Sequence, residues 1–142
     1  MINDALNRHY IPELYLGKIL KQLDIMRNLL VEELQMSNLE VEIFLILVRE
    51  EKCSRERLVF LTNNSSNEIV EVSKELEKKG MVIEISTGTY RSLHPRFAIV
   101  NRYRRVCEIK NEPFKKNLKI DNLAIMVEKY QIEQNRDNAM TK

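Results

Sequence analysis

Apolar side chains recur every three or four residues over much of the chain, which is the spacing of one face of an α-helix. The first such stretch runs from about residue 12 to residue 35, and Pro12 suits its first turn. A second begins after Ser37, which can form a Ser-x-x-Glu capping box with Glu40 and is followed by a nearly continuous apolar run. So many apolar positions predict a helix that is buried on more than one side.

Two shorter helices are predicted next. Ser54 can cap the first of them, over Arg55–Leu61, and a run of small polar residues follows at Thr62–Asn67. Ser65 then pairs with Glu68 in a second capping box and opens a helix over residues 66–79, which Gly80 closes. This order is typical of a helix-turn-helix unit.

A β-hairpin is predicted directly after Gly80. Residues 81–86 and 89–93 have strand-like composition and are joined by a short tip at Thr87 and Gly88. The simplest register places Ile85 opposite Tyr90 and Glu84 opposite Arg91, both favourable cross-strand pairs. A helix-turn-helix followed by such a hairpin predicts a winged helix-turn-helix, a mainly α fold with a small β-hairpin.

Further helices complete the chain. Pro95 can start one with Ile99 on its apolar face and Arg105 at the centre of the other face, flanked by Arg102 and Arg104. A last helix is predicted over residues 121–136, capped by Asp121, with a polar tail that frays after residue 131. The expected organisation is an N-terminal amphipathic dimerisation helix in 1–35, the winged unit in 36–95, and C-terminal helices in 96–142, basic first and then dimerising.

Composition places the chain among globular proteins. Its 142 residues are 44% apolar and 31% charged, which suits one domain with appended helices. The first ten residues lack the apolar run of a signal peptide, and no stretch is long and apolar enough for a membrane span. With two widely separated cysteines, we expect a cytoplasmic protein that does not bind membranes.

Charge is distributed unevenly along the sequence. The net charge is only +2, yet residues 91–119 carry nine Lys or Arg against two Glu. The rest of the chain is therefore slightly acidic, and the positive field belongs to one segment.

The winged unit also resembles a known family. Leu39–Leu47, the run Leu-Glu-Lys-Lys-Gly-Met-Val at Leu76–Val82, and Tyr90–Pro95 are similar to motifs in the winged-helix domain of TrmB-like archaeal transcriptional regulators. The layout of one long helix before this unit and two after it is similar to that of the dimeric MarR-type regulators. The resemblance implies double-stranded DNA as the partner. It implies no sugar effector, because the sugar-binding domain of full-length TrmB-like proteins does not fit in this chain.

Candidate DNA contacts follow from this interpretation. In the helix over 66–79, Asn67 could pair with adenine and Val70 could touch a thymine methyl group, while the turn donates to phosphates. Phosphate anchors would come from the hairpin and the basic segment. The full predicted set is Ser65, Ser66, Asn67, Val70, Lys74, Lys78, Arg91, His94, Arg96, Arg102, Arg104 and Arg105.

Each of these assignments has an alternative. Three glutamates, Glu68, Glu71 and Glu75, repel phosphates, so the helix over 66–79 could be an ordinary solvated face, and the turn residues could serve only as turn and cap. The basic run could be solvated or could face an acidic patch on a partner subunit. The flanking helices could pack within one chain rather than between two. A winged-helix protein-interaction module, with a transcription-machinery protein as partner, and a non-specific architectural chromatin protein are therefore alternatives to a homodimeric transcriptional regulator.

No catalytic or metal-binding motif is found in the sequence. Nucleophile elbows, phosphate-binding loops and His-based zinc motifs are absent, so we expect neither enzymatic activity nor a cofactor. His9 and His94 are isolated in the sequence, and we interpret neither as a metal ligand. Cys53 precedes a helix and could be a redox-active thiol or an inert small residue, and Cys107 lies on an apolar stripe.

Overall fold

The computed structural model describes residues 13–141, without the side chains of residue 15 and residues 138–141. Pro12, His9 and the rest of the predicted N-terminal part before residue 13 lie outside the described residues. Within them, six helices and three short strands follow one another in the order of a winged helix with flanking helices. They are α1 (Glu13–Leu34), α2 (Asn38–Glu50), β1 (Lys52–Ser54), α3 (Arg55–Thr62), α4 (Ser66–Lys78), β2 (Val82–Ser86), β3 (Thr89–Ser92), α5 (Pro95–Lys110) and α6 (Leu118–Thr141).

The predicted starts of α2, α3 and α4 are confirmed by their caps. Ser37 and Glu40 form the capping box of α2, and Ser65 and Glu68 form that of α4. The side chain of Ser54 accepts the N–H of Arg57 at the start of α3. Each cap satisfies backbone donors that the first helical turn leaves unpaired, so the sequence determines these starts locally.

Helix α2 is the centre of the core. Its apolar run is buried on nearly all sides, with Ile43, Phe44 and Leu47 fully inaccessible to solvent. Around it pack α4 through Ile69 and Leu76, α6 through Leu123 and Val127, and the sheet. The predicted multi-sided burial of this helix is confirmed, and the winged unit and flanking helices share one core.

The small sheet contains a strand that is not predicted from the sequence. β1 pairs antiparallel with β3, which also pairs with β2, so the order is β1-β3-β2. The predicted hairpin register is wrong: Glu84 lies opposite Tyr90, and Ile83 lies opposite Arg91. A bulge between Glu84 and Ser86 accounts for the shift, because the additional residue in β2 has no partner in β3.

The two C-terminal helices differ from the prediction at three points. Helix α6 begins three residues earlier than expected, because the side chain of Asn117, rather than Asp121, accepts the N–H groups of Lys119 and Ile120. It also continues to Thr141, five residues beyond the predicted end at residue 136. In α5, Arg102 lies on the buried side rather than the outer side, with only 5% of its surface exposed.

Helices α1 and α6 pack against each other. Lys119, at the start of α6, contacts Glu33, at the end of α1, with 3.4 Å between Nζ and Oε1, which indicates an antiparallel arrangement. The C-terminal half of α1 is anchored in the core through Leu30 and Leu34. Its N-terminal half leaves Leu16 and Leu20 at 42% and 52% exposure, so part of the predicted apolar stripe is not covered by the described residues.

Candidate nucleic-acid interface

Helix α4 has one buried face and one open face. Ile69, Ser73 and Leu76 point into the core, and the hydroxyl of Ser73 has no hydrogen-bond partner among the described residues. Asn67 and Lys74 are exposed, with Val70 half-buried between them. The helical spacing of three and four residues places these last three side chains along one ridge.

The glutamates of α4 are not equivalent. Glu68 is held by the capping box, where Oε1 accepts the hydroxyl of Ser65 at 3.0 Å, and Glu75 accepts Lys78 Nζ at 3.3 Å. Glu71 is exposed on the ridge of Asn67 and Lys74 and forms no ion pair with a described residue. The ridge therefore combines an amide, an apolar contact and one unpaired charge of each sign.

The polar turn before α4 is largely engaged by its own backbone. Thr62 Oγ1 donates to the carbonyl of Leu58 at 2.7 Å, and Asn64 Nδ2 donates to the carbonyl of Thr62 at 2.9 Å. Asn63 has a left-handed φ of 56° and caps α3. Ser65 is the N-cap of α4, which leaves Ser66 and Asn67 as the exposed polar side chains at the start of that helix.

Two cations lie opposite each other on the outer face of the sheet. The register pairs Lys52 of β1 with Arg91 of β3, and both are exposed while their neighbours Cys53 and Tyr90 are buried. Like charges directly across a ladder are destabilising. Neither forms an ion pair among the described residues. Lys52 was not predicted as a contact residue, because a three-residue strand carries no periodicity to detect.

The hairpin tip is short and tightly bound to α3. The N–H of Arg55 donates to the carbonyl of Gly88 at 2.8 Å, and the N–H of Gly88 donates to Glu84 Oε2 at 2.8 Å. Gly88 has a φ of 76°, which favours glycine. The guanidinium of Arg55 lies beside this turn, with 37% of its side chain exposed, and its Nη2 lies 3.9 Å from Glu56 Oε1.

His94 and Arg96 meet a carboxylate on α6. Arg96 Nη2 lies 3.0 Å from Glu128 Oε1, and His94 Nε2 lies 3.3 Å from Glu128 Oε2. The hydrogen bond from Arg96 lowers the pKa of the Glu128 carboxyl below its usual value. Both residues remain exposed, but much of the charge predicted for phosphate contact is balanced within the protein.

Arg102 is a correction to the predicted contact set. Its Nε donates to the carbonyl of Leu34 at 2.8 Å, and Nη2 donates to that of Gln35 at 3.4 Å. It thus binds the C-terminal carbonyls of α1, where a cation is favourable, and burial lowers the pKa of its guanidinium. A buried side chain with these partners is not available to a phosphate. Its spacing from Ile99 and Val106, three and four residues, places it on the apolar face.

Arg104 and Arg105 lie on different sides of α5. The guanidinium of Arg104 lies over the ring of Phe114, 4.9 Å from the ring centre. Arg105 Nη2 lies beside Gly80, 3.4 Å from the position of a side-chain carbon added there. The arginines of the predicted basic segment therefore lie at three separate places. Arg105 lies beside Gly80 before the hairpin, Arg102 at the junction of α1 and α2, and Arg104 at the connection between α5 and α6.

Neither cysteine is exposed. Cys53 has 3% of its surface accessible, and burial raises the pKa of its thiol, which disfavours the reactive thiolate. Among residues 13–141, no group of His, Cys, Asp or Glu is arranged to hold a metal ion. Within the same range, no helix has the length and apolarity required to cross a membrane.

Comparison with known proteins gives one structural likeness. No protein-family model matches the chain, and no curated protein matches its sequence. The fold is similar to that of TrmBL2, an archaeal chromatin protein whose structure is described as having a novel mode of DNA binding, with a TM-score of 0.55 and 23% sequence identity. The match covers 62% of this chain and 35% of TrmBL2, so the chain spans about a third of that protein's length. This likeness confirms the winged-helix fold.

Proposed function

We propose that this chain is a DNA-binding protein of the winged-helix class, which binds duplex DNA through the open ridge of α4 and the sheet beside it. The observation that carries the proposal is the open ridge of α4, where Asn67 and Lys74 are exposed and Val70 is half-buried, on a helix whose opposite face is buried. Such a ridge can enter a major groove, where an asparagine amide reads adenine and an apolar contact meets a thymine methyl group. Ser66 would contribute a hydroxyl at the start of the helix.

Phosphate contacts would come from the sheet. Lys52 and Arg91 place two unpaired cations side by side. Arg55 adds a charge at the hairpin tip that Glu56, 3.9 Å away, offsets in part. The mutual repulsion of Lys52 and Arg91 is relieved when a phosphate lies between them. Arg96 and His94 would contribute less, because both already contact the carboxylate of Glu128. The cytoplasm is the proposed location.

We also propose that two copies associate and that the dimer regulates transcription. Leu16 and Leu20 on α1 are exposed, and Ile132 on α6 is 51% exposed, so the antiparallel α1–α6 pair offers apolar surface beyond the shared core. A second copy would cover it and would present two α4 helices to half-sites one turn of DNA apart. Sedimentation of the wild type and of a Leu16→Glu, Leu20→Glu variant tests this, because the variant should remain monomeric.

Fluorescence anisotropy tests the DNA-binding proposal directly. A labelled duplex of the chain's own promoter and a random duplex are titrated across a salt series, in which log affinity falls by about 0.9 per phosphate contact for each decade of salt. Replacement of Lys52 and Arg91 by Ala should weaken binding to both duplexes and reduce the slope by about two. Lys129→Ala with Lys21→Ala, exposed lysines on the flanking helices, is the matched control and should change the slope less. Equal slopes in the two variants would contradict the assignment of the sheet.

The ridge of α4 has its own test. Glu71→Gln removes the unpaired carboxylate from the ridge, so it should raise duplex affinity several-fold at low salt. Asn67→Ala should reduce the preference for the promoter over the random duplex. The difference in binding free energy between the two duplexes should fall by about 1–3 kcal/mol, the value of one lost base contact. If neither substitution changes affinity, α4 does not face DNA.

An architectural chromatin role is the second candidate. It is favoured by the likeness to TrmBL2 and by the four glutamates on α4, which limit base reading. Equal, salt-sensitive binding to promoter and random duplexes would support it over regulation of a discrete site. Absence of duplex binding at low salt would eliminate both DNA roles and leave a protein-interaction module.

A further inference from the structure

Unpaired positive charge gathers at the segment that connects α5 to α6. Lys110, Lys115 and Lys116 are exposed and form no ion pair with any described residue. By contrast, Arg96 and Lys119 pair with Glu128 and Glu33. In this connection, residues 111–117, and at the adjoining end of α5, the lysine charges are therefore not neutralised by described residues and are available to an anionic ligand.

An exposed aromatic ring lies among these lysines. Phe114 leaves 49% of its surface accessible, and its ring centre lies 5.7 Å from that of Tyr103. The guanidinium of Arg104 lies over the same ring. A half-exposed phenylalanine gains little from burial within the chain, but an aromatic side chain beside cations is the arrangement with which proteins stack single-stranded bases.

A groove lies next to the ring. Its volume is about 220 Å³, it is open to solvent, and it suits a small planar group rather than a large ligand. Asp121 disfavours a phosphate inside the groove but can accept a hydrogen bond from an N–H group of a base, such as the ring N3–H of thymine. The residues that line it include Val100, Tyr103, Phe114, Lys115, Ile120 and Asp121.

This groove is separate from the ridge of α4. Lys79, at the end of α4, pairs with Glu40 at the start of α2, and Arg102 binds the carbonyls just before α2. Tyr103, next to Arg102, is hydrogen-bonded by Asn117 of the connection. The groove thus lies toward the end of the domain where α4 terminates. Helix α4 has 13 residues and is about 20 Å long, so its N-terminal residues lie at the opposite end of that helix.

We propose that the α5–α6 groove binds single-stranded nucleic acid, with one unstacked base on Phe114 and the neighbouring phosphates on Lys115 and Lys116. Charge complementarity and the stacking surface favour this ligand over a duplex, whose bases are not accessible to a ring. The site does not depend on the duplex binding proposed for α4.

Anisotropy with a labelled oligothymidine of about 12 nucleotides tests the site, since this length lies within the usual range for one small domain. Phe114→Ala should weaken binding by roughly 5- to 150-fold, the value of one base–aromatic stack. Phe114→Trp should retain wild-type affinity. Circular dichroism checks that both variants fold. Wild-type affinity in Phe114→Ala, or no binding by the wild type, would overturn the proposal.

An abasic oligomer of equal length separates stacking from charge. It keeps the phosphates, so Phe114→Ala should not affect its binding, whereas Lys115→Gln with Lys116→Gln should weaken both oligomers. The charge-matched Lys21→Gln with Lys129→Gln should weaken them less. Equal losses in the two double variants would show non-specific attraction and would reject the site.

Duplex binding is measured on the same proteins. Phe114→Ala should leave duplex affinity unchanged, and Lys74→Ala should weaken duplex binding without affecting the oligothymidine. The experiment therefore distinguishes failure of the proposed single-strand site in the groove from failure of the proposed duplex binding by α4. A Phe114→Ala variant that weakens duplex and oligomer equally would count against a single-strand site.

Discussion

Arg102 and Arg104 are two residues apart on α5 and have opposite environments. The guanidinium of Arg102 is buried and donates to two carbonyls at the end of α1, whereas that of Arg104 is exposed over Phe114. One joins elements of the fold, and the other is open to a ligand. A count of basic residues in the sequence does not distinguish a buried arginine from an exposed one, because the count contains no information on which face of the helix packs against the core.

The same contrast separates two regions. At the polar junction, defined as Glu40, Lys79, Arg102 and the carbonyls of Leu34 and Gln35, each charged side chain has a partner, and the charged groups are largely buried. On the open surfaces, Lys52 and Arg91 on the sheet and Lys115 and Lys116 in the connection have none among the described residues. We therefore expect substitutions at the junction to lower stability and substitutions on the open surfaces to lower affinity.

Arg102→Ala should have the largest effect on stability. It leaves two carbonyls without their charged donor in a buried setting, so the free energy of unfolding should fall by about 3 kcal/mol. Arg104→Ala, two residues away, should change it by less than about 1 kcal/mol. Urea unfolding measures both. Similar losses in the two variants would remove the basis of the comparison.

Adjacent lysines at the end of α4 give the next largest contrast. The side chain of Lys79 is 16% exposed and pairs with Glu40, which is 6% exposed. Lys79→Ala should therefore cost about 2 kcal/mol, because it leaves a buried carboxylate without its cation. Lys78→Ala breaks only an exposed pair with Glu75 and should cost about 0.5 kcal/mol or less. A larger effect at Lys78 would show that burial is not the deciding factor.

Replacement of two glycines by alanine should change stability in opposite directions. Gly80 has a φ of 77°, and an added carbon would lie 3.2 Å from Asn101 Cβ, so Gly80→Ala should destabilise by about 1–2 kcal/mol. Gly17 lies in α1 with no atom of the described residues within 4 Å of an added carbon, so Gly17→Ala should stabilise by about 0.5–1 kcal/mol. Thermal unfolding measures the two signs. Destabilisation by Gly17→Ala would mean that another surface contacts α1 at this position.

The smallest expected effect is the pH dependence at Glu128. Arg96 lowers the folded-state pKa of this carboxyl below 4.5. The contribution of the ionised carboxylate to the free energy of unfolding is therefore fully present above that pH and is lost as the pH falls through the folded-state pKa. Glu128→Gln should therefore make unfolding less sensitive to acid below pH 4.5. Arg96→Ala should have the same effect, and the double variant should add nothing. Additive effects would show that the two residues act separately.

Much of the fold could be predicted because its signals are local. The two capping boxes, Ser54 and Gly80 each act within a few residues, so the boundaries of α2, α3 and α4 agree closely with the sequence pattern. Non-local features escaped prediction. Strand β1 is too short for a periodic signal, and the bulge in β2 shifts a register that no local residue specifies.

The candidate site was predicted only in part, for the same reason. Asn67, Val70 and Lys74 follow from helical spacing and share a ridge in the structure. Lys52 becomes a neighbour of Arg91 only through β1, and Arg102 leaves the contact set because it reaches residues 67 and 68 positions earlier in the chain. Phe114 and its lysines form a groove only where α5 and α6 meet.

The sequence by itself determined the order of the helices, the starts of α2, α3 and α4, and the apolar run that becomes the central helix, since capping and periodicity act between residues a few positions apart. Only the tertiary structure decided which charges are neutralised within the chain and which remain open. That outcome depends on distances between residues far apart in sequence, such as Arg102 and Leu34 or Arg96 and Glu128. Coulomb attraction and desolvation act through these distances and not through order along the chain.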